Sequence, residues 1–373
     1  MIAQPPIWFM VVAFLCALGP LIFFHELGHY WVARWFGVGA ESFSIGFGRE
    51  IGGWTDKRGT RWKIGWLPLG GYVRFVGDAD AASRPPGEER AEDPASFHGR
   101  PWWQRFLIVL AGPMANFLLA IVILSAFFMT YKAASTPPVV AGIVKGSAAE
   151  SVGLMPGDRI VEVAGQSVDT FEDIIGIVLI RPGAEVTLKY ERAGKVRQAD
   201  VRIGSDVRTD PFGQKAKVGL LGIGKPPTEL RSLGPGAAVV AATDATFQTT
   251  RMIVVVVGQI ITGNRSVKEL GGPLKIAQAA GQQATLGLTD FIYLVALLSI
   301  NLGFINLLPI PMLDGGHLLF YAAEGVSRRP VSERTQDWAF RGGLALLFAL
   351  LIFTTVNDLD SFGLFERLGR LIG

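Results

Sequence analysis

The 373-residue sequence contains a single cysteine, Cys16, and it lies inside an apolar run. A disulfide framework and a cysteine-built zinc cluster are therefore both excluded. Charge is scarce as well: Asp, Glu, Lys and Arg make up 18% of the residues, against ~25% in ordinary soluble domains. Basic residues exceed acidic ones by three, but they are scattered among the acids and form no stripe, which argues against nucleic acid as a partner. Histidine occurs only four times. What is abundant is apolar: half of the residues are hydrophobic, and the mean hydropathy is +0.36. That balance excludes a disordered tail and points to a membrane protein.

Four apolar runs, at residues 7–31, 106–129, 291–313 and 342–356, read as membrane spans, each of which takes ~20 residues. A weaker run at 252–262, bounded by Arg251 and Asn264, reads as a soluble or interfacial helix. The first run has no basic segment before it and no A-x-A-like site after it, so it is expected to stay as a helix rather than be cleaved as a signal peptide. The tail before it carries no charged side chain, whereas its other flank carries Arg34, Arg49, Lys57, Arg58, Arg61 and Lys63. The loop between the last two spans holds Arg328, Arg329 and Arg334. The positive-inside bias then puts both loops in the cytoplasm and both termini outside.

Residues 139–223 read as a small, mostly β domain. Glu185 to Arg192 alternate at period two, Ala193-Gly194 supplies a turn, and 196–203 alternate again, which is a hairpin pattern. Upstream, Gly146-Ser147-Ala148-Ala149-Glu150 and Gly153-Leu154-Met155-Pro156-Gly157-Asp158 resemble a bacterial, circularly permuted PDZ domain. Such domains capture extended peptides by strand addition at a sheet edge. The resemblance implies a peptide-facing strand at Gly219, Leu220, Leu221, Gly222 and Ile223, with peptide C-termini as ligands.

In the loop after the first span, Phe43, Ile45 and Phe47, then Trp62, Ile64 and Trp66, alternate between glycines at Gly52, Gly53, Gly59, Gly70 and Gly71. Hairpins this apolar are expected to dip toward the membrane, where open strands are tolerated only when buried in protein or lining a wet cavity. Residues 78–100 turn polar and Pro-rich and read as a flexible surface linker.

The chemistry sits in His25-Glu26-Leu27-Gly28-His29. Residues four apart on a helix share a face, so both histidines can turn a ring nitrogen toward one zinc ion. Glu26 then stands where it can take a proton from zinc-bound water. Three ionisable groups this close together in a membrane helix are costly, and such groups are functional by default. His25 lies nine residues before Arg34, or ~14 Å from that flank. A catalytic zinc usually keeps three protein ligands and one open position. His98 lies in the polar loop, so the third ligand is sought in the stretch from Asn306 to His317. There Pro309 and Pro311 interrupt regular helix, and irregular backbone at membrane depth normally lines a site. Asp314 and His317 are three residues apart and could share a helical face, so spacing alone leaves both open.

HELGH in the first span, LPLGGYV at 67–73, GPMAN at 112–116, one PDZ-like module and NLLPIPMLDGGH at 306–317 together resemble the bacterial site-2 proteases, across essentially the whole chain. The resemblance implies an intramembrane zinc metalloprotease of the bacterial inner membrane. His25, His29 and Asp314 would hold Zn2+, and Glu26 would act as general base. Asn306 would hold substrate or stabilise the oxyanion, and the glycine-rich hairpin would engage substrate as an added strand. Asn116, in GPMAN, stands equally between a role at the site and plain packing of the second span. Implied substrates are single-span membrane proteins such as anti-sigma factors, or signal-peptide remnants. The chain departs from the best-known members in having one PDZ module where they have two.

The expected fold is a polytopic α-helical membrane protein with four transmembrane helices, a membrane-associated β-hairpin region and an extracytoplasmic, mostly-β PDZ domain. The expected division is 1–36 (first span with HExxH), 37–103 (hairpin region and linker), 104–131 (second span), 132–230 (periplasmic PDZ domain) and 231–290 (periplasmic amphipathic segment). The rest divides into 291–318 (third span with the LDG motif), 319–341 (cytoplasmic loop) and 342–373 (fourth span and tail). A transporter whose helix happens to read HExxH would need more intramembrane polar groups than the second and fourth spans offer. A PDZ scaffold with a mere anchor would leave the His-Glu-His cost unexplained. A membrane-anchored zincin would need a soluble catalytic domain that the sequence does not contain.

Overall fold

The computed structural model describes residues 5–77, 95–131, 133–209, 215–227, 229–231, 233–267 and 270–362. Most of the expected linker, 78–94, lies outside them. In chain order the elements are α1 (Ile7–Trp35), β1 (Ala40–Thr55), β2 (Arg61–Phe75), α2 (Trp102–Thr130), β3 (Ala133–Ser135), β4 (Gly142–Ile143) and α3 (Ala148–Ser151). There follow β5 (Arg159–Val163), β6 (Gln166–Ser167), α4 (Phe171–Leu179), β7 (Glu185–Arg192), β8 (Lys195–Arg202), β9 (Gly204–Thr209), β10 (Lys215–Leu220), β11 (Ile223–Gly224) and β12 (Glu229–Arg231). Five helices close the described chain: α5 (Pro235–Ile261), α6 (Pro273–Leu286), α7 (Leu288–Asn306), α8 (Asp314–Ser327) and α9 (Glu333–Ser361).

Four of the described helices, α1, α2, α7 and α9, are long and apolar enough to cross a membrane. The shortest, α7, has 19 residues, ~28 Å of helix, close to the ~30 Å hydrocarbon core. The apolar run at 252–262 is helical as expected but belongs to α5, which is not one of the four. The third span differs from its expected extent. Helix α7 stops at Asn306, residues 307–313 are not helical, and Asp314 opens a separate helix. Pro309 and Pro311 supply no backbone N–H to continue the ladder, which is why the break falls there.

The chain divides into two compact units. The first comprises 1–125, 239–250 and 271–359. Its spanning helices keep Trp8, Leu118 and Phe348 exposed, the outward apolar surface that a lipid-facing helix presents. Inward, α1 buries Ala13, Ala17 and Leu21 at four-residue spacing, and small residues let helix backbones approach closely. Gly281 of α6 packs on Met10, and Gly28 packs on the Ala111 carbonyl, so close that neither position has room for a Cβ.

The hairpin is more folded than its sequence suggests. Residues 40–47 of β1 lie against 67–75 of β2 in antiparallel register, for example Phe43↔Val73 and Ile45↔Gly71. The same stretch is also matched by Arg61–Ile64, through Phe43↔Trp62 and Ile45↔Ile64, while Glu50–Thr55 pairs back onto the start of β2. Both long strands therefore bend on themselves, and Gly46 and Gly48, both at positive φ, allow the bend in β1. Phe43, only 1% exposed, stacks on Trp62 at 4.3 Å. With Tyr30, Val73, Phe97, Ile108, Leu318 and Tyr321 it forms the core that fixes the hairpin against α1, α2 and α8.

The second unit comprises 126–238, 251–270 and 360–373. Its sheet runs β6-β5-β7-β8, with the hairpin β7–β8 turning at Ala193-Gly194, both at positive φ. Helix α4 starts in a capping box, the Thr170 side chain accepting from the Asp173 N–H and Asp173 answering to the Thr170 backbone. Phe171, Ile174 and Val178 of α4 meet Ile160, Leu188 and Val201 of the sheet in one apolar core. The Gly153–Asp158 turn is pinned by Asp158, which is almost fully buried and accepts two 2.7 Å bonds from the Arg192 guanidinium. Ala133–Ser135 pairs with Glu229–Arg231, bringing the two ends of the domain together.

Candidate metal centre

His25, Glu26 and His29 lie in the second half of α1, each 8% exposed. A backbone carbonyl can only accept, so the 2.9 Å contact from His29 Nδ1 to the Ile108 carbonyl puts the proton on Nδ1 and leaves the Nε2 lone pair free. The other ring, His25, meets the Asn116 amide through Nδ1 at 3.2 Å. Ile108, Gly112 and Asn116 are spaced by four along α2 and present one face to the two histidines. Between the two contacts lies Gly112, where a side chain would overlap His29 Nε2.

The third arm comes from the break after α7. Asp314 is the first residue of α8, where the unpaired N–H groups of a helix start favour a carboxylate. Gly315 and Gly316 press on the carbonyls of Leu308 and Ile310 so closely that neither could carry a Cβ, and Met312 adopts positive φ. That tight turn brings Asp314 Oδ2 to 3.1 Å from His25 Nε2 and 3.5 Å from His29 Nε2, with the two nitrogens 3.3 Å apart. Among the described residues, His25, His29 and Asp314 are the one group of three or more His, Cys, Asp or Glu with ligand atoms this close.

The triangle suits zinc. Tetrahedral coordination with bonds of 2.0–2.1 Å sets neighbouring donor atoms ~3.3 Å apart. The donor set of two imidazoles and a carboxylate is a zinc set, and among the described residues buried Asp314 Oδ2 faces no hydrogen-bonding protein group besides the two imidazole nitrogens. Glu26 stands beside the triangle, buried with the two histidines. Gly71 packs against Ile22 and the Glu26 side chain, leaving no room for a Cβ. The β2 segment 67–75, paired with β1 on one side, thus passes directly beside the carboxylate.

Asn306 is the last residue of α7, eight residues before Asp314. His317 packs on Phe340 at 5.1 Å and, with His98, lines a separate 500 Å³ cavity next to the Arg105–Glu324 ion pair. In the second unit, Gly219, Leu220, Leu221, Gly222 and Ile223 line one wall of a 640 Å³ groove opposite Phe171, Ile174 and Val178 of α4. The residues that the sequence reading missed at the centre are Ile108 and Gly112. A backbone acceptor leaves no trace in sequence, and Gly112 showed only as part of GPMAN.

Comparison with known proteins matches residues 13–350 to peptidase family M50. A protein of Agrobacterium fabrum that bears the name zinc metalloprotease provisionally is 43% identical over 363 residues, 94% of this chain and 96% of its own. The metalloprotease MmpA of Caulobacter vibrioides is 36% identical over 392 residues, covering 97% of this chain and 98% of its own. A PDZ domain of the SdrC-like protein of Listeria monocytogenes aligns with 25% of this chain and 92% of that domain, at 23% identity and a TM-score of 0.19. The chain belongs to peptidase family M50, the site-2 proteases, and is a membrane metalloprotease of that type.

Proposed function

We propose that this protein hydrolyses a peptide bond within or beside the transmembrane segment of single-span membrane proteins, with His25, His29 and Asp314 holding one Zn2+. The observation that carries the reading is Glu26: a buried carboxylate inside an apolar span, next to a three-donor triangle, with Gly71 of the strand that runs past it packed on its side chain. Zinc bound there would supply a polarised carbonyl and a bound water whose pKa lies near ~7. Glu26 takes the proton of the attacking water and returns it to the leaving amine. Helical substrate hides its amides, so it must be unwound locally. The 67–75 segment offers an edge on which an extended substrate can pair, and Asn306 serves to hold the substrate or the developing oxyanion.

The positive-inside bias supports a bacterial inner-membrane protein with both termini periplasmic and the zinc in the cytoplasmic half of the bilayer. In that arrangement the domain at 132–230 is periplasmic and performs no chemistry. Its groove takes peptide C-termini along Gly219–Ile223 and controls access of substrates, which by the family resemblance are anti-sigma-factor-like proteins or signal-peptide remnants. Co-expression of wild type or Glu26→Gln with a library of tagged single-span proteins tests the reading. Fragments that appear only with wild type are expected, and identical fragment patterns would overturn it.

A further inference from the structure

The two histidines of the triangle are held differently. His29 has its Nδ1–H fixed by the Ile108 carbonyl, a group that can only accept. His25 meets Asn116, an amide with one accepting and one donating end. As placed, the amide nitrogen faces His25 Nδ1 at 3.2 Å, and Asn116 Oδ1 is buried without a hydrogen-bond partner. With the nitrogen donating, neutral His25 must carry its proton on Nε2, pointing into the triangle, where it could not ligate. Turning the amide over exchanges Oδ1 for Nδ2 at almost no change in shape, since the two ends differ only in chemistry. Either way one amide end lacks a partner, so the orphan does not decide the orientation. The His25 tautomer does, because ligation through Nε2 requires the proton on Nδ1 and an acceptor facing it.

We propose that Asn116 is the positioning residue of His25: its Oδ1 accepts the His25 Nδ1–H and fixes the tautomer whose Nε2 lone pair points at Asp314 and His29. The inference rests on zinc binding at the triangle. Three features of Asn116 suit the task. It is fully buried, so water does not compete for the ring. Its backbone carbonyl accepts the Ser299 hydroxyl at 2.7 Å, which ties this turn of α2 to α7. It also lies two helical turns from Ile108 on the same face, so α2 alone orients both rings.

The test is zinc affinity of the full chain in detergent, measured by chelator competition, alongside the melting temperature of the zinc-free protein. Asn116→Leu fills the space and removes the acceptor; zinc should bind 10–100-fold more weakly while the zinc-free melting temperature stays where it was. Asn116→Asp keeps an acceptor and no donor, so its zinc affinity should stay within about threefold of wild type. An unchanged affinity in Asn116→Leu would overturn the assignment. So would an Asp variant as weak as Leu, because that is the result if the amide nitrogen donates. Loss of zinc-free stability in Asn116→Leu, in step with the lost affinity, would reduce Asn116 to a packing residue. If the Asp variant does not fold, the Leu comparison alone decides. If zinc binds wild type with no dependence on His25, tested by His25→Ala, then it is the metal-site reading that fails rather than this one.

Discussion

Gly112 and His29 fit together because Gly112 has no side chain: any Cβ there would occupy the place of His29 Nε2. The same ring is tethered from behind by the Ile108 carbonyl, so it cannot swing aside without losing that bond. Gly112→Ala is therefore expected to displace the ring and weaken zinc binding at least tenfold, whereas overpacking alone costs about 1–3 kcal/mol of stability. Zinc content after gel filtration, set against the melting temperature, checks this. A fully zinc-loaded, fully active Gly112→Ala protein would mean that the ring has a second workable position.

Glu26→Gln keeps the shape beside the triangle and removes the proton acceptor. Activity on a detergent-solubilised substrate should fall by ~10²–10⁴ or more, since one group serves both proton transfers, while about one zinc per chain remains. Substantial activity in this variant would contradict the assigned role.

Asp314 and His317 separate two assignments that spacing left open. Asp314 is in the triangle and His317 packs on Phe340, so Asp314→Ala should lose both metal and activity, and His317→Ala should keep most of both. Metal analysis with the opposite pattern would reverse the assignment.

The features legible in sequence were those encoded by local pattern. HELGH on an apolar run, the alternating 185–192 and 196–203 strands around Ala193-Gly194, and the proline-broken LDG stretch all describe short segments whose own chemistry dictates their form. What stayed hidden depends on partners far away in the chain. Helix α6 has a glycine cap and no side-chain cap of its own; Asp358 of α9 supplies one, accepting the Gly272 and Lys275 N–H groups at 3.0 and 3.1 Å. Nothing within 231–290 announces that. Phe97 falls in the polar stretch 78–100 that reads as a flexible linker, yet it is fully buried and stacks on Phe75 at 5.3 Å. The doubling back of β1 and β2 was equally invisible, because alternation gives the face of each residue and not which strand it meets.

In the β-rich second unit, hydrogen bonds from Arg192 hold the Asp158 carboxyl below the usual carboxylate range. A depressed folded-state pKa contributes stability above the unfolded value, near ~3.9, and that stability is lost as pH falls through the folded value. Asp158→Asn should therefore destabilise the unit by about 1.5–3 kcal/mol at neutral pH, and the gap to wild type should narrow below about pH 4. Hydrogen exchange of the β5 and β7 amides in the full chain, followed between neutral and acid pH, reads the difference directly. A gap that stays constant with pH would assign the effect to packing rather than charge.

The ends of the β-rich domain at 132–230 lie side by side, since Ala133 pairs with Arg231 and Ser135 with Glu229. A deletion of 139–223 closed by a short linker can therefore preserve the chain path on either side, which makes the access role testable. If the domain only controls access, the deletion protein should retain its zinc and cleave an already trimmed substrate at the wild-type rate, because the triangle and Glu26 belong to the other unit. The full-length substrate then separates two kinds of control. A bulky domain that excludes large ectodomains predicts faster cleavage after deletion; a groove that captures peptide C-termini along Gly219–Ile223 predicts slower cleavage. Exclusion is the expected outcome, as steric blocking needs only the domain's volume whereas recruitment also needs a matching peptide. An Ile175→Lys variant, which places a charge at an exposed groove-lining position of α4 and leaves the buried core intact, provides the control: it should leave full-length cleavage slow if bulk is what matters. Loss of cleavage of both substrates by a folded, zinc-loaded deletion protein would contradict the access role altogether.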